Sequence, residues 1–391
     1  MLTSIALIFL IGMFLGWLFK SVKLPTLLGM IITGIIIGPC FLNLISPSLI
    51  SIAPELRQIA LVIILTRAGL SLDVNQLKKA GRPALLMCFL PATFEIIATA
   101  IFAPLLFNIS YIEAALIGSV IAAVSPAVVV PRMIKIIDEG YGQDKQIPQI
   151  IMAGASADDV YVIVLFTSFS AILSGKNASM LNFIQIPTSI LLGIILGVIV
   201  GTILVLFFKK VHIRDSSKVI IITSVAFLIM GLENLLKNYV SVSGLIAIMV
   251  VGMTMYVKYS VLAKRLSLKY NKIWIAAELM LFVLVGAAVD LKSIVTFGLS
   301  SAILVLLAML FRMLGVFVSL IKTNLTMKQR LFCMLAYTPK ATVQAAIGTV
   351  PLAMGLSCGN IVLSVAVVSI LLTAPIGAFF IDLTYKKLLK R

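Results

Sequence analysis

Apolar runs of about twenty residues recur from one end of this chain to the other, and that recurrence leaves few folds open to it. Wound as a helix, a run of that length matches the hydrocarbon thickness of a bilayer, and a helix satisfies its own backbone hydrogen bonds there. Of the 391 residues, 61% are hydrophobic and only 12% charged, which is not the balance of a soluble domain. The intervening segments are too short to form one, so the chain reads as a single all-α polytopic membrane unit without an appended enzyme domain. The first run, MLTSIALIFLIGMFLGWLFK, lacks a basic n-region and a small-residue cleavage site, and is expected to stay attached as a helix.

A hydropathy window of about nineteen residues gives about thirteen spans. They begin near Leu2, Leu24, Leu56, Ala84, Ile112, Ile147, Phe183, Val219, Val242, Ile273, Phe297, Leu331 and Ile361. Loop charges test the count. Lys20 and Lys23, then Lys78, Lys79 and Arg82, Arg132 and Lys135, and Lys209, Lys210 and Arg214 fall on one side. Lys264, Arg265 and Lys269, Lys328 and Arg330, and the tail Lys386, Lys387, Lys390 and Arg391 fall there too. The positive-inside rule then puts the N-terminus outside and the C-terminus in the cytoplasm. The same rule accounts for the net charge of +17, so no nucleic-acid partner is implied.

Two spans are interrupted by proline: AAVSPAVVVP, with Pro126 and Pro131, and AYTPKATVQAAIG, with Pro339 and Thr342. An odd number of spans separates them, so they enter the membrane from opposite sides. Pairing the spans that begin near Ala84, Ile112 and Ile147 with those near Phe297, Leu331 and Ile361 gives an inverted repeat, with the Phe183 span as linker. Interrupted helices in matching positions of two inverted halves point to a substrate site near the midplane. A proline taken singly is explained by a tolerated kink.

Ionisable residues gather at that depth. Asp158 and Asp159 stand about eleven residues into their span, near the middle of a core of ~30 Å at ~1.5 Å per residue. Glu95, Arg312 and Lys340 count to the same layer. Each charge there costs ~2.5–3.5 kcal/mol even on a lenient scale, so pairing or function must hold it. Glu95 and Arg312, on corresponding spans, are expected to form a buried ion pair. Lys340 is either a titrating group or a fixed partner for Asp158. Neighbours on a helix point about 100° apart, so one aspartate can hold a counter-charge while the other stays open. Burial disfavours a charged carboxylate, and proton and cation therefore compete for the same oxygens, which is antiport in chemical form. The interruption at Val124 and Ser125 offers carbonyl and hydroxyl oxygens of the kind hard cations take.

Other residues read as structural. Glu233 and Glu278 are placed near span ends with interfacial solvation. Gly12 and Gly16 suit packing within the subunit or a dimer contact. His212 reads as solvated in a basic loop, and Cys40, Cys88, Cys333 and Cys358 show no metal or redox spacing.

Four segments carry a resemblance: ADD at Ala157 to Asp159, VSPAVVVP at Val124 to Pro131, LTRAGLSLD at Leu65 to Asp73, and PKATVQAAIG at Pro339 to Gly348. They resemble the monovalent cation:proton antiporters, and most closely the NHA-type sodium/hydrogen exchangers of the antiporter-2 branch. The resemblance implies crossed broken helices around the aspartate pair. It also implies a core of residues 83–173 and 294–391 rocking against a dimerisation domain of 1–82 and 174–293, as a homodimer. Asp159 would be the principal ion-binding carboxylate and Asp158 its partner, with Lys340 as counter-ion and Glu95 with Arg312 as the characteristic pair. Related electrogenic antiporters carry lysine in the place of Arg312. If both aspartates load and release protons, two protons exchange per Na⁺ and the cycle carries charge; if Asp158 stays locked to Lys340, exchange is one for one. The electrogenic cycle is the expectation carried forward.

The function expected is thus Na⁺ or Li⁺ exchange for H⁺ by alternating access, with no enzymatic activity and no cofactor beyond the transported ions. The alternatives are a sodium-coupled symporter of an organic anion and a K⁺/H⁺ antiporter. An intramembrane aspartyl protease would need its two aspartates on different helices. The partners expected are small cations, protons and membrane lipid. Short loops suggest a multi-pass protein of a prokaryotic plasma membrane.

Overall fold

The computed structural model describes residues 1–22, 24–71, 74–174, 180–236 and 242–390. Lys23, Asp73 and Arg391 lie outside the described residues, as do the side chains of Lys78 and Lys79. All regular structure among the described residues is helical, and nine helices are long and apolar enough to cross a membrane. Several of the further spans expected are shorter or more polar. Thr26–Ile37 and Gly244–Lys258 are apolar but shorter, Ala53–Ser71 carries Glu55, Arg57 and Arg67, and the span beginning at Met327 is broken into short pieces. One boundary differs plainly. Lys264, Arg265 and Lys269 were expected in a loop but lie on the helix Ser260–Ala287, and Glu278 therefore sits in the body of that helix rather than near a span end.

The chain divides into two compact units, one of Met1–Pro54, Asn75–Phe169 and Leu279–Arg391, the other of Glu55–Val74 and Ser170–Glu278. In the second unit, Met180–Lys210 packs on Gly244–Lys258. The contact is backbone-close: a Cβ added at Gly197 would lie 2.6 Å from the Ala247 carbonyl oxygen, an approach that small residues permit between membrane helices.

The first unit holds every candidate residue of the midplane layer. The elements that carry or surround them are Leu90–Phe107, a first broken helix (Tyr111–Ile121 and Pro126–Asp138), Ile147–Ser174 up to Phe169, Leu291–Ser319, a second broken helix (Met327–Ala336 and Thr342–Ile347) and Gly359–Leu388. Both broken helices start with a capping box. Ser110 and Glu113 exchange hydrogen bonds at one start, Thr326 and Gln329 at the other, each serving two N–H groups that a helix start leaves open. Leu291–Ser319 packs on Leu90–Phe107, and a Cβ at Gly315 would come within 2.7 Å of Pro91 Cα. That close approach sets Arg312, one turn before Gly315, against Glu95. Gly12 and Gly16 are buried, with Leu279 and Thr26 beside them, so packing within this unit accounts for both.

Candidate functional site

A helix that stops inside an apolar body leaves its last carbonyls and the next N–H groups without partners, and each buried orphan costs ~1–3 kcal/mol. The chain is non-helical from residue 122 to 125. Side chains take up those groups one by one. Lys340 Nζ donates to Ile121 O at 2.5 Å, Arg312 donates to Ala122 O, and Gln344 Nε2 donates to Ala123 O at 2.8 Å and Ile121 O at 3.2 Å. On the other polarity, Val124 N–H donates to Asp158 Oδ2 at 2.9 Å and Ser125 N–H to Pro339 O at 2.8 Å. Cations at the carbonyl end and a carboxylate at an N–H follow the helix dipole.

The second interruption is closed in the same way. Arg312 Nε donates to Tyr337 O at 2.7 Å. The Lys340 N–H donates to Thr373 Oγ1 at 3.0 Å, and that hydroxyl donates in turn to Ser369 O at 2.8 Å. Pro339 has no N–H to place, and Pro126 stands at the first helical position, where none is needed. Thr342 opens the short second half and is buried. Pro131 does not belong to the interruption: it lies inside Pro126–Asp138, a position membrane helices tolerate.

The same side chains form the ion pairs. Arg312 reaches Glu95 Oε2 at 2.9 Å and Asp158 Oδ2 at 2.8 Å. Lys340 Nζ lies 2.6 Å from Glu95 Oε1 and 2.8 Å from Oε2. All four side chains are fully buried. Lys340 is therefore not the fixed partner of Asp158: it takes Glu95, while Arg312 takes Asp158. The reason is geometric, since a guanidinium has five donors in a planar fork and can serve two carboxylates and two carbonyls together.

Asp159 stands apart. It is buried, its Oδ1 has no hydrogen-bond partner, and it pairs with no cation among the described residues. The cluster thus holds three carboxylates, Glu95, Asp158 and Asp159, against two cations, Arg312 and Lys340. Asp158 Oδ1 and Gln344 Oε1 are also buried acceptors without donors, and the Ser125 hydroxyl, donor and acceptor at once, is buried without a partner.

Gln344, Thr373 and Tyr337 are the members of this layer that motif reading did not single out. Gln344 had a signal, a polar amide within the apolar run after Pro339. Thr373 had none, because a threonine hydroxyl in an apolar helix serves its own backbone as a rule, and neither had Tyr337, which joins the layer through its backbone carbonyl. Away from the cluster, His212 is exposed in a loop, and among the cysteines, all free, only Cys40 is exposed.

Known proteins share this architecture. The family model described as sodium/hydrogen exchanger, transmembrane, matches residues 5–387. The chain is 32% identical over 416 residues to human (Homo sapiens) sodium/hydrogen exchanger 9B2, covering 100% of this chain and 75% of that protein. It is 31% identical over 385 residues to human sodium/hydrogen exchanger 9B1, covering 94% and 73% respectively. Its fold is that of the sodium proton antiporter MjNhaP1 from Methanocaldococcus jannaschii, with a TM-score of 0.86 at 19% identity over 99% of this chain and 98% of that one. With nine apolar helices among the described residues long enough to span a bilayer and a family match over nearly its whole length, this multi-pass membrane protein belongs to the sodium/hydrogen exchanger family.

Proposed function

We propose that the chain is a secondary active transporter that exchanges Na⁺ or Li⁺ for H⁺ by alternating access, with Asp159 as the carboxylate the two ions share. The observation that carries this is the charge count. Glu95 and Asp158 are matched by Lys340 and Arg312, and Asp159 is left over. One proton or one monovalent cation makes the cluster neutral. An empty site retains a charge costing ~2.5–3.5 kcal/mol at the midplane, so the loaded forms cross more readily than the empty one, which is what couples the two fluxes.

The stoichiometry follows from the partner of Asp158. Arg keeps its proton, so Asp158, held by Arg312 and by the Val124 N–H, stays a fixed anion. Exchange is then one for one, in place of the electrogenic cycle expected from sequence. Ser125 Oγ is the side-chain oxygen of the break itself, and Val124 and Ser125 contribute to the ion site together with Asp158 and Asp159.

The broader frame of the proposal has about thirteen spans in an inverted repeat with crossed interruptions. The N-terminus is outside and the C-terminus cytoplasmic, by the positive-inside rule. Residues 83–173 and 294–391 move against 1–82 and 174–293. Compactness and motion are different properties: Met1–Pro54 clusters by contact with the unit holding the site, while the proposed moving body begins at residue 83. A homodimer, a prokaryotic plasma membrane and a role in pH homeostasis rest on the resemblance and the short loops.

The test is ΔpH dissipation in proteoliposomes on addition of Na⁺, Li⁺ or K⁺, with wild type beside Asp159→Asn. Cation-dependent proton movement that disappears in the folded variant is the expected result. Proton movement of equal size in both proteins rejects Asp159 as the shared site, and no movement in wild type rejects antiport.

A further inference from the structure

The amide of Gln344 is fixed in one orientation by its neighbours. Its Nε2 faces two carbonyl oxygens, Ala123 O at 2.8 Å and Ile121 O at 3.2 Å. Neither can donate a proton, so turning the amide over would set oxygen against oxygen. Oε1 must therefore point the other way, and there it is buried and accepts nothing. Gln344 itself is 1% exposed. A buried amide oxygen without a donor is a disfavoured arrangement unless something positive visits it.

Its surroundings say what kind of visitor. Gln344 and Asp158 bracket one peptide group of the interruption, for Gln344 donates to the Ala123 carbonyl and Asp158 accepts from the Val124 N–H. Among the buried side-chain oxygens of this region, Asp158 Oδ1, Asp159 Oδ1 and Gln344 Oε1 are short of donors, and the Ser125 hydroxyl is buried without a partner. The N–H groups of the break are already taken by Asp158 and Pro339. An acceptor-rich, donor-poor set of oxygens is what a hard cation replaces its water with.

We infer that Gln344 Oε1 is an uncharged ligand of the transported cation and that Gln344 thereby helps to determine which monovalent cation is exchanged. This rests on the antiport reading above. Asp159 supplies the charge that proton and cation share, while the amide supplies a dipole that a cation uses and a proton on Asp159 does not. The residue therefore acts on the cation half of the cycle.

Two substitutions separate a ligand from a structural pin. Gln344→Met keeps length and removes both polar ends. Gln344→Glu, set against the same two carbonyls, must stay protonated there, with its O–H on Ala123 O and its C=O in the place of Oε1. The experiment measures apparent KM and maximal rate for Na⁺, Li⁺ and K⁺ in proteoliposomes, with wild type and Asp159→Asn alongside. The expected result is an apparent KM for Na⁺ raised about ten-fold and a flattened ion ranking in Gln344→Met, with both restored in Gln344→Glu. A Gln344→Met protein with the KM and ranking of wild type overturns the inference. So does a fall in maximal rate alone, in both variants, which marks a pin or a site filled by water. If Gln344→Met does not fold, Gln344→Asn takes its place: its shortened amide cannot meet Ala123 and the ion together, and a wild-type KM there is equally decisive against it. Absence of exchange in wild type is the separate failure of the antiport reading.

Discussion

Arg312 and Asp158 meet at 2.8 Å with both side chains fully buried, so the aspartate that precedes Asp159 is already committed to a protein cation. The two adjacent carboxylates are chemically unlike for that reason alone. One is a structural anion that also accepts the Val124 N–H; the other is open.

The two aspartates should therefore fail differently. Asp159→Asn is expected to abolish cation-dependent ΔpH dissipation in a folded protein. Asp158→Asn keeps a side-chain oxygen for the Val124 N–H but weakens the tie to Arg312 and leaves two carboxylates against two cations, so it should lower exchange and thermal stability together, whereas Asp159→Asn lowers exchange alone. Proteoliposome assays on both, with unfolding followed by the fluorescence of the two tryptophans, decide the matter. Full exchange or wild-type thermal stability in Asp158→Asn would remove the structural anion from the account.

One-for-one exchange makes a second claim about charge. A potential-sensitive dye should stay silent while downhill Na⁺ entry drives H⁺ out of proteoliposomes. A dye signal that follows the exchange, and vanishes with it in Asp159→Asn, would restore the electrogenic cycle.

Glu95 pairs with both Arg312 and Lys340. Glu95→Gln leaves Lys340 buried without its carboxylate and Arg312 with Asp158 alone, and should destabilise the protein by roughly 3–5 kcal/mol. The apparent Na⁺ affinity of the surviving folded fraction should change less than its stability. A variant with wild-type unfolding and a large rise in apparent KM for Na⁺ would make Glu95 an ion ligand instead.

Thr373 closes the second interruption by accepting the Lys340 N–H at 3.0 Å. Thr373→Val keeps the shape and removes the oxygen, leaving a buried N–H unpaired at ~1–3 kcal/mol. Thermal unfolding of Thr373→Ser, which keeps the hydroxyl, should stay close to wild type. Wild-type stability in Thr373→Val with a loss in Thr373→Ser would assign the effect to the methyl group instead.

Just beyond the end of Pro126–Asp138, Glu139 accepts a hydrogen bond from the Tyr385 hydroxyl at 2.7 Å, which holds the Glu139 carboxyl below its ordinary range. A depressed carboxylate stabilises the fold above its unfolded pKa of about 4.3 and stops doing so as pH falls through its folded value. The difference in unfolding temperature between wild type and Tyr385→Phe should be small, present at neutral pH, and smaller in acid. A difference that grows on acidification would remove Glu139 from the account.

The repeat of apolar runs and the two proline-bearing interruptions were legible in the sequence because they are properties of composition along the chain. So was the identity of the five charges, since the hydrocarbon core penalises any ionisable residue and makes each one conspicuous. Pro126 and Pro339 mark real breaks, whereas Pro131 does not, and spacing alone could not tell them apart: what stops a helix here is whether other side chains take over its open carbonyls and N–H groups. The helical start at Ser260 escaped reading because hydropathy registers the lysines of that segment and not its backbone.

What the sequence by itself determined is that this chain lives in a membrane and carries an excess of buried charge at two interrupted helices. Which cation meets which carboxylate was decided only by the tertiary structure. Lys340 and Arg312 are equivalent as positive charges on a string, but the close approach at Gly315 brings the guanidinium fork to Glu95, Asp158 and two carbonyls, and leaves the single ammonium to Glu95. Charge is a property of a residue and pairing is a property of distance, and packing left Asp159 without a paired cation among the described residues.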